Sequence, residues 1–279
     1  MSYKLISDFS YDEAPGGAEY NDMIILQELR SKGENADFIK SRSLNLDRLK
    51  KLKKGTKFII SNFVTIGEQE KKYISENFNY VIWEHDHKYL LNRNPAKFIN
   101  FKAPKEKIIN YQFYKSAKMV MCQTKFHSDI LKKNLNLNNI VNLSGNFWSD
   151  EDLEYIEQIS STAKMDICSV LNSPMASKNT RGTIDYCQKK SIEFELISDR
   201  NYKNFLKKMS KNSKFIFLPS TPETLSRICV EAKMLGCAVM TNKLVGCKYE
   251  EWFNGSQKQI IDYMRSFRIK TIELLLAEL

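Results

Sequence analysis

In the stretch FIFLPSTPETLSRICVEAKMLG, residues 215–236, an apolar run leads into a Pro-Ser-Thr-Pro turn and then into a helical pattern. We predict the strand at 214–218 and the helix at 224–235. A helix that begins just after a strand directs unpaired backbone N–H groups and the positive end of its dipole toward the strand's carboxyl end. The stretch therefore predicts an anion site, with the amides of Thr224 and Leu225 as candidate donors.

The same alternation of short apolar runs and amphipathic segments extends along the whole chain and is typical of βα units around parallel sheets. We predict strands at 4–7, 57–61, 80–83, 119–122, 140–143, 166–171, 194–197, 214–218 and 238–241. Helices are predicted at 18–31, 105–116, 125–134, 180–190, 202–209, 224–235 and 256–279. The fold class is therefore α/β.

A polar stretch at 145–164 separates two such arrays. We predict two Rossmann-like, doubly wound domains that face each other across a cleft. The first spans 1–160, the compact second spans 161–255, and the C-terminal helix at 256–279 packs back on the first.

Two carboxylates in the stretch 215–236 are candidates for ligand binding. Eight residues at ~100° each leave Glu223 and Glu231 within ~80° of each other around the predicted helix axis, so both can face one cleft. Glu231 is flanked by apolar residues, and a carboxylate at the edge of a buried face needs a partner, for which ribose hydroxyls would serve. The alternative is a first-turn Glu that favours the helix dipole and a second Glu on the solvent face.

A Glu, seven residues and a second Glu, followed by an Ala/Leu/Gly helix end and a short apolar strand, resembles the donor-site motif of retaining GT-B glycosyltransferases, family 4 in particular. The Gly16-Gly17 turn that opens a helix after the first strand is similar to the Gly-Gly loop with which this family approaches the donor's diphosphate and sugar. Helix capping is the alternative explanation for this turn.

A basic pair lies where the family grips the pyrophosphate, just after the first strand of the second domain. Lys178 and Arg181 are the candidates, although Asn172 or Ser173 stands where the family carries an early Arg. The alternative is two surface cations at a helix start, which the helix dipole disfavours unless an anion is present.

The segment Trp83-Glu-His-Asp-His-Lys-Tyr89 follows a first-domain strand and holds two of the three histidines. Residues of an extended segment alternate faces, so too few of its side chains converge to hold a metal on their own. The resemblance places a His facing the donor sugar at such a strand end. We assign this role to His85, with Asp86 and His87 as alternates.

Asp150-Glu-Asp152 spells the Asp-x-Asp of metal-dependent GT-A glycosyltransferases. The sequence around it instead predicts a helix with Ser149 as N-cap and an acidic first turn. We therefore predict no metal site here or elsewhere in the chain.

The resemblance implies transfer of a sugar from a nucleotide-sugar donor, a UDP- or GDP-sugar, with retention of configuration and with neither a metal nor another cofactor. Glu223 would hold sugar hydroxyls near the anomeric centre as a positioning residue, and Glu231 would bind the ribose. The leaving phosphate can take the acceptor's proton, so no separate base is required. The phosphates would be bound by the Gly16-Gly17 turn, Lys178, Arg181 and the amides of Thr224 and Leu225.

The chain carries 43 Lys and Arg against 33 Asp and Glu, a formal net charge of +10, which indicates anionic partners. One alternative is therefore a nucleic-acid-binding protein or a DNA-modifying glycosyltransferase. Lysines spread over the whole chain argue against nucleic acid and fit a solvated surface or peripheral contact with an anionic membrane. A glycan, a lipid-linked sugar or another molecule remains open as the acceptor.

No apolar run approaches the ~18 residues that span a bilayer, and the N-terminus has no apolar signal core. The six cysteines form no C-x-x-C pair and most lie in apolar runs, a pattern of reduced core thiols. We expect a cytoplasmic protein, peripheral at the inner face of the membrane where it contacts lipid.

Overall fold

The computed structural model describes residues 2–279, which divide into two compact units. Unit 1 comprises the chain up to Phe147 together with Arg268–Leu279, and unit 2 is Trp148–Phe267. The division differs from the boundary that we predicted at residue 160. Helix α6 (Asp150–Ser160) belongs to unit 2 because its apolar face packs into the core of that unit beside Trp148.

Unit 1 contains one six-stranded parallel sheet in the order β2-β1-β3-β4-β5-β6. Its strands are β1 (Ser2–Ser7), β2 (Asn35–Lys40), β3 (Lys57–Ile60), β4 (Asn79–Glu84), β5 (Met119–Cys122) and β6 (Ile140–Asn142). Its helices are α1 (Gly17–Ser31), α2 (Leu46–Lys50), α3 (Glu68–Asn77), α4 (Tyr111–Ser116) and α5 (Lys125–Leu135). The strand order reverses between β1 and β3, and the carboxyl ends on either side of such a switch point are where open α/β sheets bind ligands.

The central strands form because they are continuously apolar and buried on both faces, as in Phe58, Ile59 and Ile60 of β3. Strand β2 lies at the sheet edge, and the sequence does not predict it because only Ala36 and Ile39 of its six residues are buried. The helix predicted at 105–116 is reduced to α4, because Ile108 pairs with Leu90 in an antiparallel bridge.

Unit 2 contains a four-stranded parallel sheet in the order β10-β9-β7-β8. Its strands are β7 (Met165–Leu171), β8 (Phe194–Ile197), β9 (Asn212–Phe217) and β10 (Ala238–Thr241). Besides α6, its helices are α7 (Thr180–Lys189), α8 (Tyr202–Ser210), α9 (Arg227–Met234) and the first half of α10 (Gln257–Glu278). Its switch point lies between β7 and β9.

All nine predicted strands are present, each with ends within two residues of the predicted ones. None of the helices formed by residues 2–279 combines the length and the apolar character that crossing a membrane requires.

The helix that we predicted from Thr224 begins three residues later, at Arg227. Glu223 is extended instead and forms a parallel bridge with Val245, in which its N–H donates to the Leu244 carbonyl at 2.8 Å. Ser226 then turns into the helix with a left-handed φ of 75°. The helical angle between Glu223 and Glu231 therefore does not apply, and the amides of Thr224 and Leu225 precede the first turn of α9.

Candidate functional site

The loops that follow β7 and β9 meet at the switch point of unit 2. The Asn179 side-chain amide donates to the Leu218 carbonyl at 2.8 Å, and the Ser220 N–H donates to the Ser177 carbonyl at 3.0 Å. These bonds hold the two loops side by side, although their residues lie about forty positions apart in the chain.

Lys178 and Glu223 form an ion pair between these loops. The Lys178 Nζ lies 2.8 Å from Glu223 Oε1 and 3.0 Å from Oε2. The two side chains are 26% and 16% exposed, and Nζ lies 5.9 Å from the centre of the Phe217 ring. A partly buried pair is less screened by salt than a surface pair, and an ammonium group has three N–H donors. Lys178 can therefore keep Glu223 and still donate to an anion.

Arg181 lies in the first turn of α7 and is exposed. No carboxylate of the described chain pairs with it. A cation at a helix N-terminus is unfavourable by itself, because the positive end of the dipole repels it. Together with Lys178 it makes the carboxyl end of β7 a favourable place for an anion.

Glu231 is only 2% exposed, and its carboxylate is held by side chains of unit 2. Trp148 Nε1 and the Tyr202 hydroxyl donate to Oε1 at 3.1 and 2.8 Å, and the Arg227 guanidinium lies 3.5 Å from the same oxygen. Burial, followed by the negative charge of Glu231, raises the pKa of Tyr202 well above its usual value. The sequence correctly predicts that Glu231 needs a partner, but the protein itself supplies three.

Sequence reasoning missed those three partners. Arg227 precedes Glu231 by four residues, the spacing of an ion pair along one helix, so this partner could have been found. Its guanidinium carbon also lies 4.1 Å from the centre of the Trp148 ring, a cation–π contact. Trp148 and Tyr202 lie far away in the sequence and carry no such signal.

In unit 1, the predicted Gly-Gly turn forms the start of α1, with Gly16 as N-cap and Gly17 as the first helical residue. A Cβ atom on Gly16 would collide with the Glu19 carboxylate, which folds back over the helix start. Helix α3 begins in the same way, with Gly67 as N-cap and Glu70 folded back. The local geometry is thus that of a helix cap, and phosphate binding by this turn stays a prediction.

His85 follows β4 at the carboxyl edge of the same sheet and faces the inner side of α1. Its Nδ1 lies 2.9 Å from the Gln123 side-chain amide, and its Nε2 lies 3.8 Å from Oδ1 of Asp22 on α1. Asp22 is 2% exposed, and within residues 2–279 neither of its carboxylate oxygens has a hydrogen-bond partner. Burial raises the pKa of Glu19, one turn earlier on α1, and the Asp22 charge raises it further.

The two alternates to His85 are engaged elsewhere. Asp86 pairs with Lys88 at 2.7 Å and Arg93 at 3.1 Å, and these cations lower its pKa to about 2 against the opposing effect of burial. His87 is 1% exposed and its ring packs edge-on against His127; burial lowers its pKa to about 4. Of the three, His85 is the one that faces the carboxylates of α1.

A buried polar cluster below this site was also missed by the sequence analysis. Glu84 is fully buried at the end of β4, receives a hydrogen bond from Tyr114 and pairs with Lys88 at 3.1 Å. Burial raises the pKa of Glu84 to about 7, although the positive charge of Lys88 opposes this. The cluster fixes the backbone from which His85 extends.

The acidic run at 150–152 starts helix α6, where the Asp152 N–H donates to the Ser149 hydroxyl at 3.1 Å. The predicted N-cap is therefore confirmed. No group of three or more His, Cys, Asp or Glu side chains within residues 2–279 is arranged to hold a metal ion.

No protein-family model and no curated protein sequence matches the chain. Solved structures do match it over nearly its whole length. An α,α-trehalose-phosphate synthase (UDP-forming) from Burkholderia vietnamiensis is 7% identical, with a TM-score of 0.57 over 100% of this chain and 95% of that one. Anabaena Alr3699/HepE in complex with UDP and glucose is 13% identical, with a TM-score of 0.53 over 95% and 89%.

A third similar structure is an α-glucosyltransferase in complex with UDP and a 13-mer DNA containing a HMU base. It is 10% identical, with a TM-score of 0.51 over 99% of this chain and 95% of that one. Identities this low support a statement about the fold alone. The structural matches, together with the two parallel sheets and their switch points, show that the chain has the two-domain, Rossmann-like GT-B fold.

Proposed function

We propose that the protein is a glycosyltransferase that moves a sugar from a nucleotide-sugar donor, a UDP-sugar in the first instance, to an acceptor hydroxyl with retention of configuration. The observation that carries the proposal is the Lys178–Glu223 pair at the switch point of unit 2, next to the uncompensated Arg181. The fold is shared with structures that contain UDP, which supports the choice of donor.

The chemistry explains why such a site needs cations. The bond between the sugar's anomeric carbon and the diphosphate oxygen breaks, the acceptor oxygen bonds to that carbon on the same face, and the acceptor's proton passes to the leaving diphosphate. Negative charge therefore develops on the diphosphate in the transition state, where fixed N–H donors and cations stabilise it. Since Lys178 and Arg181 supply positive charge, the proposal requires no metal ion.

In unit 2 we assign Lys178 and Arg181 to the diphosphate. Glu223 orients the Lys178 ammonium and accepts hydrogen bonds from sugar hydroxyls as a positioning residue. Glu231 keeps its proposed role at the ribose, which requires a carboxylate already held by Trp148 and Tyr202 to accept one more hydrogen bond. Thr224 and Leu225 remain candidate contacts because they directly follow Glu223 in the chain.

In unit 1 we assign His85 to a sugar hydroxyl and the Gly16-Gly17 turn to the donor. The acceptor class is open. Lysines spread along the sequence argue against nucleic acid, but one structure of the same fold holds DNA, so a duplex oligonucleotide belongs among the acceptors to be tested. A non-catalytic nucleic-acid binder is not favoured, because it would leave the Lys178–Glu223 pair without a role.

A thermal-shift series with UDP-, GDP-, ADP- and CDP-sugars tests the proposal. A ligand at ~100 times its dissociation constant stabilises the fold by ~2.7 kcal/mol, and we expect UDP-sugars to give this shift in the wild type. Lys178→Ala should lose the shift, and Lys189→Ala, an exposed lysine at the far end of α7, should keep it. Absence of a shift with all four donor classes would contradict the proposal.

Two further measurements address the finer claims. The anomeric configuration of the product, determined by NMR, tests retention. The rate of transfer should be the same with and without EDTA. A loss of activity that Mn²⁺ restores would refute metal independence.

A further inference from the structure

Most of the large exposed apolar side chains of unit 1 lie in connections between a strand and the helix that follows it. Five of them lie in such connections, namely Phe9, Val64, Leu91, Ile99 and Ile109, while Tyr111 is the first residue of α4 and Ile269 lies in the last helix. Leu91 and Ile99 are 85% and 88% exposed, more than any other large apolar side chain of residues 2–279. Both belong to the connection between β4 and α4, and we call residues 91–111 the edge segment.

The edge segment is strongly basic. It contains five cations and one carboxylate, Glu106. Arg93 pairs with Asp86, but the four exposed lysines have no carboxylate partner in the described chain: Lys97, Lys102, Lys105 and Lys107. The segment that exposes these aliphatic groups thus also carries unpaired positive charges.

The backbone of the edge segment is held in place. Leu90 is buried and bridges Ile108, which ties the two ends of the segment together. In the middle, the Asn134 side chain accepts from the Ala103 N–H and donates to the Phe101 carbonyl, both at 2.8 Å. The Phe101 ring packs edge-on against Phe126 of α5. Leu91 and Ile99 therefore project from a fixed framework.

The combination of exposed aliphatic side chains and unpaired lysines favours one class of anionic partner over another. Hydrocarbon accepts aliphatic side chains, while lysines extend along it and keep their ammonium groups at lipid phosphates. Recognition of bases relies on bidentate side chains such as arginine and on aromatic rings that stack, and neither Leu91 nor Ile99, the two most exposed large apolar side chains, can stack. The only arginine of the segment is already paired with Asp86.

We propose that the edge segment docks the protein on an anionic lipid bilayer, with Leu91 and Ile99 inserted among the acyl chains and the four lysines on lipid phosphates. The docking itself does not depend on the proposed transferase activity, because it follows from exposure and charge alone.

Co-sedimentation of the full chain with vesicles tests the proposal without any sugar donor. We expect binding to phosphatidylcholine vesicles that contain one quarter phosphatidylglycerol, weak binding to phosphatidylcholine alone, and loss of binding in high salt. The double variant Leu91→Ser, Ile99→Ser should bind at least tenfold more weakly. Changing Lys102, Lys105 and Lys107 to Gln should weaken binding about fivefold for each lysine removed.

Matched controls come from unit 2. Met165→Ser with Leu196→Ser removes two exposed apolar side chains, and Lys189→Gln with Lys190→Gln removes two exposed charges; both variants should bind as the wild type does. The thermal midpoint of each variant shows whether it folds. As a second measurement, brominated lipid in the anionic vesicles should quench the tryptophan fluorescence of the Ile99→Trp variant more than that of the wild type.

Three outcomes would overturn the proposal. Wild-type protein that fails to bind anionic vesicles removes its basis. Vesicle binding that the edge-segment variants leave unchanged places the contact elsewhere. Salt-sensitive binding of duplex DNA that these variants weaken, without binding to vesicles, assigns the surface to nucleic acid.

Discussion

The switch point of unit 1 holds a buried carboxylate without a hydrogen-bond partner in the described chain, whereas both assigned carboxylates of unit 2 have partners. In unit 2, Glu223 is paired with Lys178, and Glu231 is paired with Trp148, Tyr202 and Arg227. In unit 1, Asp22 is buried with no hydrogen bond to either oxygen within residues 2–279, and the buried Ser61 hydroxyl at the end of β3 also has none.

This difference separates a preformed site from one that is incomplete. A buried polar group without a partner is costly, so groups of this kind are kept where a ligand or a water completes them. Unit 2 holds its charges in place in advance, as electrostatic stabilisation of a diphosphate requires. Unit 1 has polar groups at its switch point whose partners its own side chains do not supply.

The largest expected effect comes from breaking the paired cluster of unit 2. Glu231→Ala leaves the Trp148 N–H, the Tyr202 hydroxyl and the Arg227 charge without their acceptor, which should lower the free energy of unfolding by about 3 kcal/mol. Urea denaturation measures this change in the free energy of unfolding. Glu157→Ala, on the exposed face of α6, should change stability by less than about 0.5 kcal/mol. If Glu231→Ala is as stable as the wild type but no longer binds UDP, Glu231 contributes to ligand binding and not to stability.

The second effect concerns the buried imidazole of unit 1. Burial lowers the pKa of His87 to about 4, so the unfolded chain binds a proton at this residue between about pH 6.5 and 4 and the folded chain does not. Stability should therefore fall as the pH falls through this window, by about 3 kcal/mol from this group.

The variant His87→Gln isolates that contribution. It loses packing at every pH but should lose less additional stability than the wild type between pH 6.5 and 4. The raised pKa of Glu84 acts in the opposite direction at pH 4.5 to 7 and is common to both proteins, so it cancels in the difference. Denaturation curves at several pH values give the comparison, and parallel pH profiles would show that His87 has the same pKa in the folded and unfolded chains.

The third effect tests whether the ion pair at the unit 2 switch point is a preformed phosphate site. Lys178→Ala should lower kcat/KM for sugar transfer about 100-fold, or about 2.7 kcal/mol of transition-state stabilisation. Arg181→Ala should cost about tenfold, because this side chain is exposed and more strongly screened. In a double-mutant cycle with Glu223→Ala the losses should be less than additive, since the two residues act as one unit. Strict additivity would show that they act independently.

The strands were predictable because their signal is local. Runs such as 57–61 and 119–122 are apolar enough to be buried on both faces, and their order along the chain already implies parallel βα units. The start of α9 was not predictable in the same way, because the extended conformation of Glu223 depends on pairing with residues 244–246. The residue pattern predicts a helix from Thr224 onward, but the tertiary contact keeps residues 224–226 out of it.

For the site, sequence reasoning identified charged residues but not their contacts. Lys178 and Glu223 were assigned to separate motifs, and their pairing across 45 residues follows only from the strand order β9-β7. Trp148 lies 83 residues from Glu231 and was placed in a polar stretch between domains. The edge segment could not be predicted for another reason. The sequence shows its lysines, but the exposure of Leu91 and Ile99 is a property of the fold.

The smallest expected effect concerns the start of α1, where Glu19 occupies the position that an anion would take. Its carboxylate folds over the Gly16 cap, next to the positive end of the helix dipole. If the Gly16-Gly17 turn binds a donor phosphate, Glu19 must move away or be protonated. Glu19→Gln should therefore raise the affinity for UDP about two- to fivefold, which corresponds to the ~0.3 to 1 kcal/mol of a charge at a helix end.

Helix α3 provides the matched control, because Gly67 and Glu70 repeat the cap geometry at the helix that follows β3, where no donor contact is assigned. Glu70→Gln should leave UDP affinity unchanged, as measured by calorimetric titration. Since burial and the Asp22 charge raise the pKa of Glu19, wild-type affinity should increase as the pH falls toward the range where Glu19 binds a proton. The Gln variant should lack this increase. Equal UDP affinities for the wild type and both variants would make the Gly16-Gly17 turn a helix cap and nothing more, and donor phosphate binding would rest on unit 2.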